Sequence, residues 1–480
     1  MPSLWRSSGQ RGGAGTATID RSRPGPGPFL LAILLLLFGA GGVQAKGYPR
    51  MQELVDAAKA GDIIVPEPGT YAGPVTIDKP ITIDGKGKVT IDAGGKGSVV
   101  YIDGDGVSLQ GLRLTNSGES YNDIDSGVQV RGNFNVLKDL VIDNCLFGID
   151  LGQAENNIIK RNHISSKPFD LGVRGDSIRL WYSFNNKVTD NVIRDSRDMV
   201  VWYSRDNLIA RNDSRGGRYS LHFMYSQYNE VIGNHYEDNS VGIFLMYSDG
   251  VVVRDNFIAR ASGPTGMGIG FKETSDVEIS GNVILNCATG MYLDVSPYQP
   301  DTTNRIFNNV IAFGGVAIQF LNDWTGNEFR GNVIDGNITQ VIVAGGKTAN
   351  RNLWEGNFWD DYQGFDQDGD GIGDTPYELY AYADRIWMDV PSARFFKGSP
   401  VLEVLDFLER LAPFSPPDLT LRDDRPLKSA GLALKDFIPE SPEQKAHAEA
   451  QQGAATGEGA EQGSSGGFDA LKALRDSLDR

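Results

Sequence analysis

One short pattern, Asn-x-(Ile/Val)-x-x-Asn, recurs along this 480-residue chain and restricts its fold more than any other feature. It reads Asn157-x-Ile159-x-x-Asn162, then Asn186-x-Val188-x-x-Asn191, Asn207-x-Ile209-x-x-Asn212 and Asn229-x-Val231-x-x-Asn234. It returns as Asn304-x-Ile306-x-x-Asn309, Asn327-x-Phe329-x-x-Asn332 and Asn352-x-Trp354-x-x-Asn357, and two copies without the first Asn keep the frame at Val251, Val253, Asn256 and at Val277, Ile279, Asn282. Between the Asn blocks lies a second apolar segment ending on Ser183, Ser204, Ser226 and Ser248, at spacings of 21, 22 and 22 residues. Short runs of period two in a repeat of about 22 residues, bounded by Asn, Gly and Ser, fit one coil of a parallel β-helix, which buries its apolar face by stacking on its neighbours. A helical solenoid would need segments of roughly ten or more residues at a 3.6 period. Asn suits the bends, because it tolerates left-handed backbone and bonds neighbouring backbone groups. The recurrent Asn therefore reads as structural, and so do the glycosylation-like strings Asn212-Asp213-Ser214 and Asn337-Ile338-Thr339.

Earlier runs such as Val75-Thr76-Ile77, Ile81-Thr82-Ile83, Val89-Thr90-Ile91 and Val107-Ser108-Leu109 continue the architecture. Met51 to Ala60 is apolar at helical spacing, and predicts a helix capping the open end, where unpaired strand edges otherwise invite aggregation. Fifty-nine glycines serve the turns, while 40% hydrophobic residues leave enough for a core, which excludes wholesale disorder. A net charge of −17 sets aside a nucleic-acid backbone or an anionic lipid surface as the main ligand. At the N-terminus, Arg21 and Arg23, the apolar run Phe29–Phe38 and the exit Val43-Gln44-Ala45 have the order of a cleavable export signal, residues 1–45. The run is shorter than the roughly 20 residues of a spanning helix. Cys145 and Cys287 fall in the same slot of coils about six apart, beyond the reach of a disulfide.

Aligning coils on the Ser sorts residues into faces. Counting back from it, Tyr182, Tyr203, Tyr225 and Tyr247 are expected inside, together with Leu180, Val201, Phe223, Leu245 and with Ile178, Met199, Leu221, Ile243. Trp181, Trp202, Met224 and Met246, beside Arg179, Val200, His222 and Phe244, then point outward as an exposed apolar, thioether and imidazole patch. Met224 and Met246 should lie about 4.8 Å apart between coils, with His222 about 7 Å from Met224 along its strand. Two thioethers and an imidazole suit monovalent copper. The same three residues also fit a protein contact, and Trp181, Trp202 and Phe244 read as a partner surface. His163 and His235 stand three coils apart, too far to share an ion, and His447 lies in the tail.

Surface aromatics on a β-helix also suit an exported polysaccharide lyase or epimerase. Glycoside hydrolysis needs carboxylates roughly 5 to 9.5 Å apart, whereas the outward acids Asp150 and Asp294 stand about six coils, or 29 Å, from each other. Bend residues such as Asp170, Asp195 and Asp213 leave a lyase or epimerase open. After the last coil, Asp366-x-Asp368-x-Asp370-Gly371-Ile372-x-Asp374 has acids at positions 1, 3, 5 and 9 and Gly at 6, the spacing of a calcium loop, although position 12 is Tyr377. A structural calcium and a plain acidic turn both fit.

The exported leader, the Asn-rich repeats, Phe358-Trp359-Asp360-Asp361-Tyr362, the Asp366–Asp374 loop and Thr375-Pro376-Tyr377 together resemble the NosD family of periplasmic maturation proteins of nitrous oxide reductase. The resemblance spans roughly Gly61 to Leu427, and its more specific part lies after the last coil, in Ser399–Phe414 and Pro416-Pro417-Asp418-Leu419. It implies a right-handed parallel β-helix that works with an ABC-type ATPase and a membrane permease. It further implies transfer of copper from a copper chaperone toward the reductase's copper cluster, with no catalysis by this chain. Ser399–Arg410 reads independently as an amphipathic helix, with Val401, Leu402, Leu405, Leu408 and Leu411 recurring at three and four. Its face suits either the solenoid end or the permease. The expected organisation is a signal peptide over 1–45, a helical cap over 46–62, a β-helix over 63–360, an acidic loop with a docking segment over 361–427, and a low-complexity, disordered tail over 428–480.

Overall fold

The computed structural model describes residues 47–344, 348–381 and 418–431, together with positions 399–400, 404, 407–408 and 411. The leader, most of Ser399–Arg410 and the tail beyond 431 lie outside the described residues. From Gly47 onward the described chain belongs to one compact unit.

The repeat builds three parallel ladders of short strands. The first is a sheet of 12 strands that begins at Val75–Ile77 and ends at Thr339–Val343. The second runs from Val136–Lys138 to Leu353–Glu355, and the third from Val141–Cys145 to Phe358–Trp359. These two join through the longer strand Ser108–Thr115, which pairs with the first strand of each. Every pairing between consecutive coils is parallel, so residues one repeat apart become neighbours: Ile178 pairs with Met199, and Leu221 with Ile243.

One row of side chains from each ladder fills the column. Ile159, Val188, Ile209, Val231 and Val253 from the second ladder meet Ile164, Ile193, Tyr236 and Ile258 from the third, all at most 3% exposed. Tyr236 faces Ser214 one coil earlier, a small residue beside a large one. At the N-terminal end a short helix, Met51–Ala57, buries Met51 and Val55.

The Asn at each bend is a rung. Asn212 Oδ1 accepts the Asn191 backbone N–H at 3.1 Å and the Asn191 amide at 2.9 Å, while its own Nδ2 donates to Val188 O and to Asn234 Oδ1. The pattern repeats from Asn162 to Asn357, so each bend's donors are satisfied by the next coil. A shorter ladder of hydroxyls links Ser183, Ser204, Ser226 and Ser248 through the backbone N–H of each preceding coil. Asn212 and Asn337 are buried rungs, 1% and 9% exposed, as their structural reading requires.

Asp423 ends the ladder. It is fully buried, and its carboxylate accepts the N–H groups of Gly356 and Asn357, the Asn357 amide and the Trp359 indole N–H. The strand that carries it, Asp418–Asp423, pairs antiparallel with Tyr377–Ala381, and Tyr377 stacks on Trp359 at 4.5 Å. Cys145 and Cys287 are separate buried thiols, each pushed up to about 12 by burial and thus inert.

Candidate metal-binding face

Parallel pairing in the first ladder sets two outward rows side by side. One runs Asp150, Arg179, Val200, His222, Phe244, Gly270, Tyr292; the other runs Gly152, Trp181, Trp202, Met224, Met246, Lys272, Asp294. Leu221, Phe223, Ile243 and Leu245 point the other way and are fully buried. Met224 and Met246 are direct partners on adjacent strands, and His222 lies two residues before Met224 on the same side. The structure thus brings the three candidate copper residues onto one face, outside the column.

That face is less exposed than alternation alone predicts. Trp181, Trp202, Met224 and Met246 are half-buried, while His222 and Phe244 are each 9% exposed. Tyr219 covers them, stacking on the His222 ring at 4.6 Å and meeting Phe244 edge-on at 5.8 Å. A Cβ on Gly270 would collide with the Phe244 ring and the Met267 sulfur, so the bare backbone of Gly270 is what lets both lie flat over the sheet. Sequence reasoning missed Tyr219 and Met267, because both lie at the strand's entry, before the stretch that aligns on Ser.

Burial pushes the His222 imidazole down to about 4, helped by the Arg218 charge and opposed by Asp198. The ring is therefore neutral near pH 7. Its Nε2 is buried without a hydrogen-bond partner, as is the Trp202 indole N–H. A neutral imidazole with an unused nitrogen beside two aligned thioethers is a soft donor set of the kind cuprous copper accepts.

The four tyrosines read as inward are a correction. Tyr182, Tyr203 and Tyr225 are exposed and Tyr247 half-buried, with φ values of 47°, 49°, 51° and 52°. Each strand ends one residue earlier, at Trp181, Trp202, Met224 and Met246, so alternation does not reach the tyrosine. The chain turns through left-handed backbone there and throws the ring outward. The rings stack on one another at 4.9, 5.1 and 4.8 Å with interplanar angles of 11 to 15°. The two inner rings, Tyr203 and Tyr225, are stacked on both faces.

The outward acids are neutralised. Asp150 is buried between Arg131 and Arg179, each at 2.8 Å, and Asp294 pairs with Lys272 at 3.0 Å. Asp213 is buried against Arg194 and Arg215. In the acidic loop, Asp366, Asp368 and Asp370 offer oxygens within 4.8 Å of one another, whereas Asp374 accepts the Gln367 N–H at 2.7 Å. Among the described residues this is the one group of three or more His, Cys, Asp or Glu with such convergence.

Fold and face together define a class: a parallel β-solenoid whose outer surface carries thioethers, an imidazole and aromatic rings, with Asp150, Asp213 and Asp294 held in ion pairs. Residues 164–364 match the family described as periplasmic copper-binding protein (NosD). The chain is 28% identical over 446 residues to a probable ABC transporter binding protein NosD of Pseudomonas aeruginosa, covering 85% of this chain and 95% of that protein. It is 25% identical over 381 residues to the protein of the same description from Stutzerimonas stutzeri, covering 72% and 82%. The chain is thus similar to these NosD proteins over most of its length, and its fold is a parallel β-helix. Among solved structures it is similar to the A-module of a mannuronan C-5 epimerase from Azotobacter vinelandii, with a TM-score of 0.47, 15% identity and coverage of 60% and 89%. The catalytic domain of an α-1,3-glucanase gives a TM-score of 0.48, 12% identity and coverage of 60% and 64%.

Proposed function

We propose that this protein is a periplasmic, non-enzymatic adaptor of an ABC-type transporter that handles or passes copper during assembly of the nitrous oxide reductase copper cluster. The observation that carries the reading is the registered pair Met224 and Met246 beside a neutral His222 whose Nε2 makes no hydrogen bond. Copper is cargo here. His222, Met224 and Met246 hold it, and Trp181, Trp202 and Phe244 form the adjoining surface on which a copper chaperone or the reductase sits. The family description and the names of the two relatives support periplasmic copper handling beside a transporter.

The partners on the membrane side are the ABC ATPase and its permease. Helical positions Val404, Phe407, Leu408 and Leu411 are 50 to 66% exposed and recur at spacings of three and four. Leu408 and Leu411 belong to the apolar side expected from the sequence, and their exposure supports docking of that side on the permease. No helix among the described residues is long and apolar enough to cross a membrane, and export rests on cleavage of residues 1–45. In the loop after the last coil, Asp366, Asp368, Asp370 and Asp374 take a structural calcium in this reading, which a calcium titration under chelation tests by heat release. The enzymatic alternative is weakened by the ion-paired acids and by tyrosine faces that stack on each other rather than standing open to sugar rings.

Titration of cuprous ion against a chromophoric chelator tests the site. His222→Ala/Met224→Ala/Met246→Ala should lose about a hundredfold in affinity, ~2.7 kcal/mol, with the circular dichroism of the solenoid retained. Unchanged affinity removes these three residues as the site.

A further inference from the structure

The outer surface of the third ladder is dry where it should be wet. Its strands place Ile258, Ile284, Ile311 and Ile334 in the core, so the residues on either side of each face out of the column. Yet the outward residues Phe257, Ala259, Val283, Leu285, Val310, Ala312 and Val333 are only 1 to 6% exposed and form an apolar cluster separate from the core. An outward apolar strip this well buried needs a cover. The described residues packed against it are Phe313, Phe358 and Ala430.

Ala430 also indicates where the cover comes from. The Leu427 N–H donates to Asn357 O at 2.9 Å, which brings the chain alongside the last coil at one end of the strip, and Ala430 then packs on the cluster. Forty-nine residues follow Gly431, beginning Leu432-Ala433-Leu434-Lys435-Asp436-Phe437-Ile438-Pro439-Glu440.

We propose that the outer strip of the third ladder is the docking surface for this chain's own residues 432–440, which cross it from the last coil toward earlier ones. Length and apolar character both match. The coils of Phe358, Val333, Val310, Val283 and Phe257 are four steps apart in sequence of pairing, or about 19 Å at ~4.8 Å per step. Residues 432–438 span about 23 Å when extended, and they carry Leu432, Leu434, Phe437 and Ile438. Beyond Phe257 the surface turns ionic: two steps on, Arg215 is paired with Glu237 at 3.0 Å and lies 3.6 Å from Asp213. The apolar run gives way to Pro439 and Glu440 where the apolar strip gives way to charged residues.

Hydrogen exchange of the full chain tests this directly. Amides of 432–438 should exchange at least about tenfold more slowly than those of 450–465. A chain ending at Gly431 should bind a labelled peptide of residues 431–443 in trans, and the same peptide carrying Phe437→Asp and Ile438→Asp should not bind. Equally fast exchange across 432–465 overturns the proposal. So does protection in the full chain that disappears on dilution, because a second copy would then be the occupant. Should the shortened chain fail to fold, full-length Phe437→Asp/Ile438→Asp replaces it: loss of the protection of 432–436 supports docking, and protection equal to wild type refutes it.

Discussion

A single rung illustrates how much one side chain carries. Asn212→Ala removes the acceptor for two groups of Asn191 and the donor to Val188 O and Asn234 Oδ1, all in a dry bend. The expected cost is about 2–4 kcal/mol, read as a shift in the urea midpoint at unchanged slope. His222 gives a pH effect of known sign. Its pKa falls from an ordinary value of 6.5 to about 4 in the folded chain, so between those values the unfolded chain takes up the proton first and stability drops as the solution is acidified. From pH 7 to pH 5 this group removes about 2 kcal/mol, and His222→Gln should show that much less acid sensitivity in urea titrations. Because the ring stays neutral, protons should not compete for the proposed copper site until well below pH 6. The asparagines were legible in the sequence because identity and spacing both repeat. Tyr182, Tyr203 and Tyr225 were not, because nothing in an alternating pattern marks the residue at which the strand stops, and a bulky aromatic at φ near +50° runs against ordinary preference.

At the level of elements, period two within strands correctly sorted Leu221, Phe223, Ile243 and Leu245 from His222, Met224, Phe244 and Met246. How deeply the outward set is buried was not legible, since Tyr219 and Met267 arrive from the strand's entry and cover it. In the third ladder Val283 and Leu285 flank the core residue Ile284 and face outward, yet both are buried in a second apolar cluster. Phe407 and Leu411 are exposed at 60% and 66%, so Phe407→Asp/Leu411→Asp should leave the melting temperature within about 2 °C of wild type, as surface substitutions usually do. Co-purification with the permease should fall at least about tenfold. Unaltered co-purification would place the permease contact elsewhere.

For the whole molecule, contacts run almost entirely from each coil to the next, so stability accumulates coil by coil and the two ends are the weak points. Asp423 closes one of them by supplying, as a carboxylate, the acceptor that an Asn supplies at every earlier bend. Asp423→Ala should leave the donors of Gly356, Asn357 and Trp359 unsatisfied and cost about 3 kcal/mol, with proteolysis beginning in the final coils. Asp423→Asn, which keeps one oxygen, should recover part of that loss.

The chain reaches Asp423 only 66 residues after Asn357, the last Asn of the stack. During synthesis the coils can therefore assemble in order from the N-terminus, but the newest of them has no lid until Asp423 has been made. Termination between residues 360 and 422 would yield a molecule with its coils and a raw, sticky terminus, a ready substrate for proteases and for end-to-end filament growth.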